Sequence, residues 1–302
     1  MQVKKDLVIG LKVLAVCLLF TVCMAVGMAL SGLTHTAPQT PPPPGSVLLP
    51  LLIFSLWVGI IASYLILRSS WHGWALAAAM FVGMYGISTV VSQIESVAFL
   101  SSKLGPGMLR AIFIQGAIAI ALFVPLAVLI LGKWRAAIPA EVSPAPVHIR
   151  VASAVWRIVL LVVAFVFLYM FFGYYVAWQN PELRKFYGGP DWPTFFAALK
   201  GNWQGLPWIY PLASFRALLY IAFVYPLIRM IHAARWESAL AAALFLASWT
   251  TVLLFPNPIM PASVARSHFW ETLAFSLIFG ALLGWLMSIP PSPATKTTPA
   301  AA

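Results

Sequence analysis

The sequence predicts an all-α polytopic membrane helix bundle of about eight transmembrane helices, arranged as a 4+4 parallel internal repeat. Three observations carry that prediction. Of 302 residues, 62% are hydrophobic and only 8% charged, with mean hydropathy +0.94, a balance far from that of water-soluble domains. Eight apolar stretches are each long enough to cross a hydrocarbon core of roughly 30 Å, which takes about 20 helical residues. A segment also recurs: Pro50-Leu-Leu-Ile-Phe54 with Ile60, Tyr64 and Arg68 returns 161 positions later as Pro211-Leu-Ala-Ser-Phe215 with Ile221, Tyr225 and Arg229.

The stretches run over residues 7–31, 47–67, 74–98, 108–131, 152–178, 208–231, 237–255 and 266–288. They are continuous and lack period-two alternation, so helices are expected and not a barrel. Lys4 and Lys5 precede the first run. That run exceeds the roughly 7–15 residues of a signal-peptide core, so an uncleaved helix is expected. Thr34 to Gly45, with His35 and the prolines at 41–44, reads as an extended polyproline connector. Prolines 50, 125, 211 and 226 fall inside or at the ends of spans, where neighbouring helices can satisfy the freed backbone groups.

Further matches extend the repeat. Ala75-Leu-Ala-Ala-Ala-Met-Phe81 aligns with Ala239-Leu-Ala-Ala-Ala-Leu-Phe245, Arg110-x-x-Phe113-x-Gln115 with Arg266-x-x-Phe269-x-Glu271, and Lys12 and Phe20 with Arg157 and Phe165. The expected units are 1–133 and 151–288, joined by a Pro/Ala-rich cytoplasmic linker at 134–150 and followed by a disordered tail at 289–302. An even number of spans per unit makes the two units parallel, related by an axis along the membrane normal. The loop from Gln179 to Leu206 is enlarged only in the second unit. Trp178, Trp192, Phe195, Phe196, Trp203 and Trp208 suit the headgroup layer. It reads as an interfacial helix packed as a lid, with turns at Gly188 and Gly189, or as a substrate gate.

With the N-terminus in the cytoplasm, eleven of the 18 Lys and Arg residues fall on the inner side, which favours N-in and, with eight spans, a cytoplasmic C-terminus. The net charge of +11 is then a topology signal. The basic residues form no tract, which excludes a nucleic-acid partner. The expected partners are membrane lipids.

The polar residues that matter gather near the outer interface. Counting about 1.5 Å per residue along each span puts Glu95, Arg110, Arg216, Arg266 and Glu271 at one level, with Gln93, Gln115 and His268 in the same layer. Ionisable groups in spans are costly unless they pair or face a wet cavity. Ion pairs pinning helices together are one reading. The other is a site, because Gln115 stands where the second unit has Glu271, and Ser55 where it has Arg216. The three arginines suit a phosphate or carboxylate, a small anion or a lipid headgroup among them. His268 and Glu271, three apart, share a helix face and fit an acid and base pair, or two ligands of a metal with Glu95 as a third. With a single His-x-x-Glu, no metal site and no cofactor are predicted.

No Gly-x-Ser-x-Gly, Walker loop, His-Glu-x-x-His or paired-aspartate protease motif occurs. Cys17 and Cys23 lie on different faces of one helix and cannot bridge each other. The stretches Tyr174-Tyr-Val-Ala-Trp-Gln-Asn-Pro181, Phe186-Tyr-Gly-Gly189 and Asn257-Pro-Ile-Met-Pro261, with Arg266-x-His268-Phe-x-Glu271, resemble a group of uncharacterised bacterial multi-pass integral membrane proteins. The resemblance implies a bacterial inner (plasma) membrane and brings no activity. The expected function is a carrier or a lipid- or anion-binding permease with a charged pocket near the outer face. The alternatives are an intramembrane enzyme acting on a lipid-linked substrate, or a partner subunit whose charges lock helices.

Overall fold

The computed structural model describes residues 2–36, 45–135, 151–231, 233–257 and 259–288. Eight helices among them are long and apolar enough to span a membrane. They are built from α1 (Gln2–Ser31), α3 (Leu48–Arg68), α4 (Gly73–Tyr85) continued by α5 (Ser92–Leu100), α6 (Met108–Ile130), α7 (Val151–Phe172), α10 (Ile209–Met230), α11 (Arg235–Thr250) and α12 (Ala262–Met287). The remaining helices are short and lie outside the spans: α2 (Leu33–Thr36), α8 (Pro181–Tyr187) and α9 (Phe195–Gly205).

Two expected details change. Thr34 to Thr36 fold into α2 instead of an extended connector, while residues 37–44, the greater part of the linker and the tail lie outside the described residues. The last span begins at Ala262, just after Pro261. Arg266 therefore sits a full turn inside α12 and not at its start, because a proline without an N–H is accommodated at a helix boundary.

The outward faces are apolar. Leu7, Leu11, Leu14 and Leu18 on α1, and Val155, Val159, Val163 and Phe167 on α7, form exposed stripes at helical spacing. Such stripes suit hydrocarbon and would be costly in water. The inward faces carry two aromatic knots. Phe20 meets Phe123 edge-on at 5.2 Å and also Phe54 at 5.1 Å, and Phe165 meets Phe279 edge-on at 5.0 Å and Phe275 at 4.9 Å. Phe20, Phe123, Phe165 and Phe279 are fully buried.

Helix α1 packs on α3 and α6, and α4 on α6; α7 packs on α10 and α12, and α11 on α12. The two groups join where α3 touches α11 and α4 touches α10. At the end opposite the Gln179–Leu206 loop, Arg68 grips Glu237 through two nitrogens at 2.7 and 2.8 Å, with Tyr64 donating to the same carboxylate at 2.6 Å. At that end, Ser69 and Ile231 form an antiparallel bridge, and Ser70 N–H donates to the Met230 carbonyl at 2.7 Å.

Two spans contain π-helical turns, at Gly86–Val91 between α4 and α5 and at Gly173–Ala177 after α7. The first lies at the middle of its span, Gly73–Lys103, and the second at the loop end of Ser153–Ala177. A π turn widens the helix by one residue and re-aims the side chains that follow it.

Candidate functional site

At the loop end, α5, α10 and α12 bring charged side chains together. Arg216 lies two turns into α10, with 6% of its side chain exposed. Its Nη1 donates to Glu95 Oε1 at 2.5 Å, and Glu95, on α5, is 34% exposed. The guanidinium carbon stands 5.4 Å from the Tyr169 ring centre and 5.9 Å from that of Phe165, both on α7. Aromatic faces of this kind stabilise a cation held out of water. Arg216 Nε is buried and has no hydrogen-bond partner among the described residues.

The second pair is local to α12. His268 Nδ1 lies 2.7 Å from Glu271 Oε2, and Tyr187 Oη lies 3.1 Å from His268 Nε2. Glu271 accepts only from a protonated Nδ1, so Nε2 of the neutral ring faces the Tyr187 hydroxyl as an acceptor. Gly173, which opens the second π turn, lies beside Glu271: a Cβ there would meet Oε1 in ordinary contact at 3.5 Å. Tyr169 lies within electrostatic reach of Glu95, Arg216 and Glu271, and so joins the two pairs.

Helix α8 forms the cover. Asn180 caps it by accepting from Glu182 N–H at 2.9 Å, Pro181 takes the first turn, and Gly188 closes it at φ 69°, a left-handed conformation that suits glycine. The helix is pinned to α12 by Asn180 Nδ2 donating to Ser267 Oγ at 2.9 Å and to the Ser263 carbonyl at 3.2 Å, and by Ser263 Oγ donating to Glu182. Leu183 is buried against Val264 and Ala265. Burial, together with the Glu95 and Glu271 carboxylates, pushes the Tyr187 phenol well above its ordinary range, so it remains a neutral hydroxyl able to donate or accept. The loop thus folds as two helices, with a turn at Gly188. Phe196 and Trp203 on α9 are exposed, whereas Trp178 packs on Gly189 and donates to the Pro190 carbonyl at 2.9 Å.

Of the eight residues singled out from sequence, the fold brings together Glu95, Arg216, His268 and Glu271. Arg110 and Arg266 are exposed at the same end and form no ion pair among the described residues. Gln93 bonds to its neighbour Ser92 at 3.2 Å, and Gln115 faces Met24 Sδ at 3.9 Å in the other group of helices. Arg216 engages Glu95, and no group of three His, Cys, Asp or Glu residues that could hold a metal occurs among the described residues. Tyr169 and Tyr187 complete the site, and sequence reasoning passed over both.

The arrangement keeps charged groups in a low-dielectric setting with partial exposure at one end. It can hold an anion against Arg216 or move a proton along Tyr187, His268 and Glu271. Comparison with known proteins returns no matching family model, no matching curated protein and no matching solved structure.

Proposed function

We propose that this chain is a permease built from two parallel four-helix units, which binds an anionic small molecule or lipid headgroup at the outer end of its second unit. The main helix pairings support the duplication, because exchanging the two groups of helices maps α1 with α3, α1 with α6 and α4 with α6 onto α7 with α10, α7 with α12 and α11 with α12, and α3 with α11 onto α10 with α4. The buried edge-on pair Phe20 and Phe123 corresponds to Phe165 and Phe279. The bridge between Ser69 and Ile231 corresponds to the contact between Met230 and Ser70, as a two-fold axis between the halves requires. The excess of Lys and Arg on the opposite end supports cytoplasmic termini in a bacterial inner membrane.

The duplicated slot differs in charge between the halves. In the first unit it holds Ser55 bonded to Thr21 at 2.6 Å, and Gln115 beside Met24. In the second it holds Arg216, Glu271 and Tyr169. The observation that carries the anion reading is Arg216: a buried guanidinium met by one carboxylate oxygen, with Nε left unpaired. A fork that presents several donors and uses one retains the capacity to grip a phosphate or carboxylate. Exposed Arg110 and Arg266 at the same end would draw anions toward it.

Native mass spectrometry of the detergent-purified chain tests this reading. The wild type should arrive with a retained anionic lipid or small anion, and Arg216→Gln should arrive without it; bare protein in both would sink the proposal. The alignment of hydroxyl, imidazole and carboxylate at Tyr187, His268 and Glu271 also suits acid and base catalysis. An enzyme acting on a lipid-linked substrate is therefore the second reading, and it is distinguished by a change in the mass of the retained lipid on incubation.

A further inference from the structure

We infer that His268 is a proton-binding site that balances the charge of the cluster. The proton site rests on the geometry of the cluster and not on the permease reading. The cluster contains two carboxylates and one guanidinium: Glu95 pairs with Arg216, and Glu271 with His268. With a neutral imidazole the cluster holds one net negative charge inside a span, and with an imidazolium it holds none. Uncompensated charge in such a setting is costly.

The hydrogen bonds permit both states. A neutral ring donates from Nδ1 to Glu271 and accepts at Nε2 from the Tyr187 hydroxyl. An imidazolium donates from both nitrogens, to the same carboxylate and to the oxygen of the same hydroxyl, which need only rotate. Both imidazole nitrogens therefore keep a partner in either state. His268 is 21% exposed, so the site opens to the loop end. The other titratable groups facing it are accounted for. Glu95 from α5 and Arg216 from α10 pair with each other, Tyr169 from α7 lies within electrostatic reach of both pairs, and Tyr174 from the π turn donates to the Trp192 carbonyl at 3.3 Å. Arg266, on the same helix, is exposed. From α8, Arg184 pairs with Asp191 and Glu182 accepts from Ser263.

The test is potentiometric titration of the full-length purified protein from about pH 8 to about pH 5, the window in which imidazoles change charge. Wild type should take up about one more proton per chain than His268→Gln. Glu271→Gln should lose the same uptake, because its cluster is neutral with a neutral ring. Equal uptake in wild type and His268→Gln overturns the inference, and so does full uptake in Glu271→Gln. A second measurement stands even if these variants misfold. In a chain whose other histidines, His35, His72, His148 and His232, are replaced by glutamine, the one nitrogen-15-labelled imidazole should convert to the doubly protonated form within that window. A ring that stays neutral throughout refutes the site. The titration needs no anion and the mass spectrum needs no proton uptake, so this inference and the permease reading fail separately.

Discussion

Arg216 holds its charge in the most enclosed part of the cluster, and the one acid it bonds directly comes from the other group of helices. Removing one partner of such a pair strands the other, whereas removing both removes the desolvation cost as well. Glu95→Gln should therefore lower unfolding free energy by about 2–3 kcal/mol. That is below the ~3–5 of a fully enclosed pair, because Glu95 is 34% exposed and partly screened. Adding Arg216→Met should restore most of the loss. Thermal unfolding of the detergent-purified variants decides it, and a double variant as unstable as the sum of its parts would mean that the two residues act independently. These four ionisable residues were legible in the sequence because charge is rare in apolar spans and depth follows from counting residues. Tyr169 and Tyr187 were not legible. Tyrosine is unremarkable in a membrane sequence, and Tyr187 reaches His268 only because α8 folds back onto α12.

At the scale of elements, hydropathy located all eight spans to within a few residues, since each must match the thickness of the bilayer. It was blind to the π turns at Gly86–Val91 and Gly173–Ala177, because adding one residue to a turn changes direction and not polarity. It was equally blind to how closely two helices approach. Helices α11 and α12 share the most extensive packing in the molecule. Gly280 makes it possible: a Cβ there would stand 2.6 Å from the Ala243 Cα and 2.8 Å from the Ala242 carbonyl oxygen. One turn on, Gly284 lies against Ser238 in the same way. Small residues four apart let helix backbones meet where no hydrophobic effect drives association. Gly280→Ala should then force the two helices apart and cost about 1–3 kcal/mol as an overpacked contact. Gly10→Ala on α1, with nothing within 4 Å of the added methyl, is the control and should leave stability within about 0.5 kcal/mol. Comparing their melting transitions checks the argument, and equal transitions would refute it.

For the whole molecule, the decisive geometry is the seam where the two groups of helices meet. Apolar periodicity says which residues avoid water and nothing about which helices touch, so the pairing of α3 with α11 and of α4 with α10 was out of reach of the sequence. The repeated segments made only the relation between the halves readable, as an expectation of two parallel units. That relation has a local consequence at the ends of α3 and α10. If a two-fold axis along the membrane normal relates the units, it passes between Ser69 and Ser70 on one side and Met230 and Ile231 on the other. Residues facing each other across an antiparallel bridge have Cα atoms about 4.5–5.5 Å apart, within the range a disulfide spans. Ser69→Cys with Ile231→Cys should therefore cross-link within one chain under mild oxidation, and so should the exchanged pair Ser70→Cys with Met230→Cys. Native Cys17 and Cys23 are buried and stay apart from the reaction. A protease site inserted into the linker at 136–150 provides the readout, since cleavage releases two fragments from wild type and leaves them joined in both oxidised variants. Cross-linking of the first pair alone would keep the contact and reject the two-fold relation. Failure of both would remove the seam, and with it the shared boundary against which a charged slot in one unit and a neutral slot in the other can be compared.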